Sequence, residues 1–184
     1  MSALDSRPDT NFSADNFVLF GLPRMQGIDG AELDRRFRRL QAEVHPDRHV
    51  QADDAQRRLS MQWSTRVNEA YQILKSPGSR ALYLLTLLGH DPQVESNTAM
   101  PAGFLVDQME LRETVMEARA ASDEDALDAA RTQLLSEIAA EYQHLVDLMD
   151  VQHDFKAAAE LVRKLMFQEK LLREIDDAIE AVTT

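Results

Sequence analysis

The stretch GAELDRRFRRLQAEVHPD, residues 30–47, decides how the N-terminal half is read. Its apolar residues Leu33, Phe37, Leu40 and Val44 recur at spacings of 4, 3 and 4. At about 100° per residue this places them within a narrow arc of one helical face. Arg35, Arg38 and Arg39 fall on the opposite side. Pro46 has no N–H and restricts the residue before it, so the helix ends at or just before His45. A second long pattern opens near Asp53, a plausible cap, and runs to Lys75 with Leu59, Trp63, Val67, Ala70 and Leu74 in one stripe. Ser76, Pro77 and Gly78 stop it. The pattern predicts two antiparallel amphipathic helices joined by a loop that carries His45, Pro46 and Asp47.

Outward from this pair, residues 1–14 are small and polar and read as a flexible tail. NFVLFGLP, residues 16–23, is a short apolar segment closed by Gly21 and Pro23. ALYLLTLL, residues 81–88, gives one more short apolar helix, and GHDPQVESNTAMPAG, residues 89–103, reads as a linker or elbow. Three helical patterns follow, roughly 103–119, 123–149 and 154–182. Ser122 with Asp125 three residues later suggests a capping box for the middle one. The last carries Ala158, Leu161, Leu165, Gln168, Leu172, Ile175, Ile179 and Val182 at alternating spacings of 3 and 4, a heptad-like seam. Alternating β-branched runs are absent, so the fold class is all-α: a helical hairpin domain at residues 15–88, a linker at 89–103 and a three-helix bundle at 104–184.

Composition narrows the function. No apolar run reaches the roughly 18 to 20 residues that cross a membrane, and the N-terminus shows neither a basic start nor a signal core, which points to a soluble cytoplasmic protein. A formal charge of −12 and a pI near 4.8 argue against nucleic acid as a partner. The charge is uneven: residues 1–100 carry −1 and residues 101–184 carry −11, so the two halves present different surfaces.

The absence of cysteine removes thiol catalysis and thiolate metal sites. His45 and His49 have the spacing of a helical zinc pair, but Pro46 breaks the helix between them and no third ligand is local. His144 and His153, with Glu141 and Asp154 nearby, read as solvated helix ends of an acidic bundle. Neither a phosphate-binding glycine loop nor a nucleophile with a paired base is visible, so no catalytic, metal or cofactor site is expected.

The bundle offers a different kind of site. In the helix at 103–119, Phe104, Leu111, Val115 and Ala118 share one face, while Leu105, Met109 and Met116 form a second strip about 120° around, edged by Val106 and Glu113. Such a strip either touches a second neighbouring helix or meets a partner. Phe167 lies about 200° from the Leu165 and Leu172 seam, so it is expected, with Leu171, to face away from the core.

Taken in order, the apolar opener, the basic helix, the His45-Pro46-Asp47 loop and NEAYQIL at 68–74 resemble a J-domain, the module that docks on DnaK-type chaperone ATPases. The resemblance covers roughly residues 15–88. It implies that the loop and the basic face of Arg35, Arg38 and Arg39 contact the ATPase and trigger hydrolysis of its nucleotide, so the protein regulates a partner and is not itself an enzyme. General J-proteins continue with a Gly/Phe-rich stretch and a cysteine zinc region, and this chain has neither. Instead NFVLFGLP, RALYLLTLLGHDP, FLVDQMELRE (104–113) and AAAELVRKLMFQEKL (157–171) together resemble the HscB family, J-type co-chaperones of iron-sulfur cluster assembly.

That resemblance spans about residues 15–182 and implies an L-shaped molecule whose bundle binds an IscU-type scaffold protein and hands it to a specialised HscA-like chaperone. The family's scaffold contacts carry over to Leu105, Val106, Met109, Glu110, Glu113 and Phe167. Val106 and Met109 stand where other members often carry methionine and leucine. The missing cysteines of some eukaryotic members point to a bacterial-type protein. A general J-domain co-chaperone for other clients is the alternative, and differs in what the bundle binds.

Overall fold

A computed structural model describes residues 13–44, 54–93 and 100–183. The His45-Pro46-Asp47 loop, His49, Asp53, residues 1–12 of the expected tail and residues 94–99 of the expected linker lie outside the described residues. All regular structure among the described residues is helical. The elements are α1 (Asn16–Leu19), α2 (Gly30–Val44), α3 (Asp54–Lys75), α4 (Pro77–Leu87), α5 (Ala102–Ala121), α6 (Glu124–Val146) with a π-helical turn (Asp147–Gln152), and α7 (Phe155–Thr183). The chain divides after Leu84 into two compact units.

In the first unit α2 and α3 form the expected antiparallel pair. The Phe37 ring stacks on Tyr71 with centroids 3.9 Å apart, and the Tyr71 hydroxyl donates to Asp34 at 2.8 Å, so the early part of α2 lies against the end of α3. Leu33, Val44, Trp63, Val67, Ala70 and Leu74 are buried there with Phe17, Leu19 and Phe20 of the opening segment. Asp15 caps α1 by accepting from the Val18 N–H at 3.0 Å and pairs with Arg24. Burial alone would raise its carboxyl, but the Val18 N–H and the Arg24 guanidinium outweigh that and hold it below the usual carboxylate range.

Two expectations change in this unit. Leu59 is 40% exposed, and Ser60 takes its place in the core. The buried face of α3 is centred between Val67 and Leu74, which puts Leu59 about 70° off centre and Ser60 about 30°. Ser76-Pro77-Gly78 is a start as well as a stop: Pro77 opens α4, where a missing N–H is harmless, and Arg80 N–H bonds back to the Ser76 carbonyl at 2.8 Å.

The second unit is a three-helix bundle in which α7 packs against both α5 and α6. Leu127, Leu134, Leu145, Leu165, Leu171 and Ile175 are fully buried at its centre. The expected capping box is replaced by a division of labour. Ser122 is left-handed (φ 52°) and closes α5, while the Asp123 carboxylate accepts from the Ala126 N–H at 3.0 Å and opens α6. The π-helical turn, with Leu148 and Met149 buried, extends α6 to His153 at φ 55°, and Asp154 caps α7 through the Ala157 N–H at 3.0 Å. Among the described residues no helix is long and apolar enough to cross a membrane.

Candidate functional site

The first candidate surface is the outer face of α2. Arg35, Arg38 and Arg39 are all exposed, as the wheel requires of residues opposite Leu33 and Val44. Arg35 is tied to Glu32, whereas Arg38 and Arg39 form no ion pair with another described residue. Glu32 is held below its ordinary carboxylate range, first by the Arg36 hydrogen bond and then by Arg35. Val44, nearly fully buried, is the last described residue before the His45-Pro46-Asp47 loop, so the basic face leads directly to that loop in sequence.

Arg36 plays another part that sequence reasoning missed. It lies on the flank of the apolar stripe and points inward, where its guanidinium donates to the Phe20 carbonyl at 2.7 Å and to the Gly21 carbonyl. Gly21 sits at φ +61°, so the turn needs glycine for its conformation, and a Cβ there would lie 2.9 Å from Arg36 Nη1 and push that guanidinium aside. The available signal was the position of Arg36 on the wheel, about 60° from Leu33.

The second candidate surface is on α5. Phe104, Val115 and Ala118 are buried and Leu111 is half-buried, forming the inward face. Gln108 joins them at 4% exposure. The second strip is open to solvent: Leu105 is 40% exposed, Val106 52%, Met109 61% and Met116 71%. Glu110 and Glu113 are exposed beside it. Of the two readings of this strip, contact with a second helix is therefore set aside within the unit. The four leave an apolar strip of α5 open to solvent.

Phe167 is not where the seam put it. It is half-buried, and its ring meets Phe104 edge-on with centroids 6.5 Å apart. Leu171, expected outside with it, is fully buried, while Leu172 is only half-buried. The reason is a second neighbour. Arg112 of α5 reaches Glu174 of α7 at 2.9 Å, so the arc of α7 holding Phe167, Leu171 and Glu174 is covered by α5. On its other flank α7 meets α6 through Lys164–Glu141, Tyr142–Glu169 at 2.5 Å and Arg131–Asp176 at 2.6 Å, so its buried arc is wider than a single seam. Phe167 thus stands at the α5–α7 edge, in contact with the residue that precedes Leu105. The arc of α5 that faces Glu174 runs on into Leu105, Met116 and Met109, whereas Glu110 lies about 160° from Arg112 and lines the groove against α6.

The remaining histidines take structural places. His153 Nδ1 lies 3.1 Å from the Met149 carbonyl, and Phe155 sits between the rings of His153 and His90. His144 is exposed beside Glu141, whose carboxylate is engaged by Lys164. Among the described residues no group of three or more metal-capable side chains converges.

Comparison with known proteins agrees with this division. Residues 19–83 match the DnaJ domain family, and residues 100–176 match the HSCB C-terminal oligomerisation domain. The chain is 48% identical over 170 residues to a co-chaperone protein HscB homolog of Aromatoleum aromaticum, covering 92% of this chain and 96% of that one. Among solved structures it is similar to chaperone HscB from Vibrio cholerae, with TM-score 0.79, 35% identity, and 92% and 99% of the two chains covered. It is also similar to the human co-chaperone protein HscB, with TM-score 0.81, 30% identity, and 89% and 81% covered.

Proposed function

The chain belongs to the HscB family of J-domain co-chaperones, and from that premise we propose that it carries an IscU-type iron-sulfur scaffold to an HscA-like, DnaK-type chaperone and stimulates that chaperone's ATPase. The observation that carries the scaffold half is the solvent-exposed strip Leu105, Val106 and Met109, flanked by Glu110 and Glu113 and continued by Phe167 at the α5–α7 edge. An apolar strip within an acidic rim suits a partner with an apolar patch ringed by basic groups, because opposite rims speed encounter and the apolar centre supplies affinity.

The chaperone half rests on α2. Arg35, Arg38 and Arg39 give a basic face that steers toward an acidic ATPase surface, and His45, Pro46 and Asp47 follow it in sequence as the contact loop. The protein performs no chemistry of its own in this reading, which places it in the cytoplasm with both partners. Its working parts are a J-domain at 15–88, a linker at 89–103 and a scaffold-binding bundle at 104–184.

Steady-state ATPase of the HscA-like chaperone tests the proposal. The wild-type chain is expected to raise turnover, and the scaffold to raise it further. His45→Gln is expected to reduce the stimulation to background, with scaffold binding unchanged. A variant that stimulates as well as the wild type removes the chaperone half.

A further inference from the structure

We propose that Met109 and Met116 form an oxidant-sensitive modification site that weakens the α5 docking strip, an inference that rests on the scaffold reading above. The chain contains eight methionines and no cysteine, so thioethers are its only oxidisable sulfur. Their environments differ sharply. Met149 is 2% exposed, whereas Met109 is 61% and Met116 71% exposed. Seven residues apart on one helix, Met109 and Met116 lie about 20° apart in projection and share the strip with Leu105.

Hydrogen peroxide supplies the oxygen. The thioether sulfur attacks one peroxide oxygen, an S–O bond forms as the O–O bond breaks, and the departing hydroxide takes the proton to leave as water. Sulfur is oxidised by two electrons and the peroxide is reduced. The product is a polar sulfoxide that accepts hydrogen bonds. Glu110, Glu113 and Glu117 beside it are acceptors when ionised, and the donors within a turn are Arg112, tied through Nε to Glu174, and the exposed Arg119. Pressed against an apolar partner surface, the sulfoxide would give up its hydrogen bonds to water, a desolvation cost that the thioether does not carry. A thiol-dependent reductase reverses the change, giving thioether, water and a disulfide of the reductant.

Met61 provides an internal control. It is 61% exposed, like Met109, but lies on α3 in the other unit. The full chain is treated with hydrogen peroxide, the oxidant is removed, each methionine is followed by peptide mass mapping, and affinity for untreated IscU-type scaffold is measured by calorimetry. Met61, Met109 and Met116 are expected to gain oxygen before Met149. The wild-type Kd is expected to rise about tenfold over its untreated value, or about 1.4 kcal/mol. Met61→Leu should lose as much. The double variant Met109→Leu, Met116→Leu should keep the affinity of its own untreated form, and thermal melting should be unchanged throughout. Wild-type protein that is oxidised at both sites yet binds as before overturns the proposal, as does an equal loss in the double variant. An untreated chain that does not bind the scaffold overturns the scaffold reading itself, and this inference with it.

Discussion

Helices α2 and α5 spend their side chains in opposite ways. On α2 the large apolar residues Leu33, Phe37, Leu40 and Val44 are all buried or half-buried, and the exposed face carries Arg35, Arg38 and Arg39 with small residues between. Among its arginines the role depends on what lies within reach: Arg36 meets two backbone carbonyls and becomes part of the fold, while Arg38 and Arg39 stay in solvent. On α5 the apolar residues are themselves divided, with Phe104, Val115 and Ala118 inward and Leu105, Val106, Met109 and Met116 outward. Residue type therefore does not report role on either helix, and the direction of the side chain does.

The α5 half of this contrast is broken most severely by exchanging its two kinds of apolar residue. Phe104 is 8% exposed, meets Phe167 and has Lys164 Nζ 5.4 Å from its ring centroid. Phe104→Ala is expected to destabilise the second unit by about 3 kcal/mol, read by urea unfolding followed by circular dichroism. Met109→Ala is expected to change stability by under about 0.5 kcal/mol while weakening scaffold binding by about 1 kcal/mol or more. Phe167→Ala should do some of both, because its ring is half inside the α5–α7 edge. Equal stability losses at Phe104 and Met109 would mean that the strip is a packing surface.

On α2 the corresponding exchange is between arginines. Arg36→Ala removes a cation from two carbonyls and from Glu32, and is expected to destabilise the first unit by about 2 kcal/mol. Trp63, buried and the chain's single tryptophan, reports that unit alone by fluorescence. Arg38→Ala with Arg39→Ala should leave the transition within about 0.5 kcal/mol of wild type and instead slow association with the chaperone severalfold at low salt. A slowed association from Arg36→Ala at full stability would reverse the assignment.

How far the sequence reaches follows the same line. The α2 stripe was legible because α2 answers mainly to one neighbour. The α5 strip was legible as a wheel position, though whether it was covered depended on where α6 and α7 lie. Reading α7 as a single seam misplaced Leu171, Leu172 and Phe167, because α5 covers an arc that a two-helix pattern assigns to solvent. Ser122 and Asp123 are both plausible caps by type, and only the left-handed turn at Ser122 decides between them. Arg36 could not be separated from its neighbours by pattern, since the carbonyls that hold it come from a turn some 15 residues earlier.

The smallest expected effect concerns whether charge in the first unit belongs to the fold. Asp15 is nearly buried, caps α1 and pairs with the more exposed Arg24. Its folded-state pKa is lowered, so its stabilising contribution is fully present above the unfolded-state value and is lost as pH falls through the folded value. Asp15→Asn keeps a good cap but removes the ion pair, and should lower stability at pH 7 by under about 1 kcal/mol. As the wild-type carboxylate is protonated, the gap between the two proteins should begin to close near the unfolded-state value of about pH 4 and vanish as pH falls below the lowered folded-state value, read by Trp63 fluorescence. A gap that stays constant over that range would mean that Asp15 acts through shape and hydrogen bonding alone. In that case the charges tied into the stability of the first unit would be the guanidinium groups that grip backbone carbonyls, Arg36 on Phe20 and Gly21, Arg66 on Ala14 and Arg80 on Gln26 and Leu74.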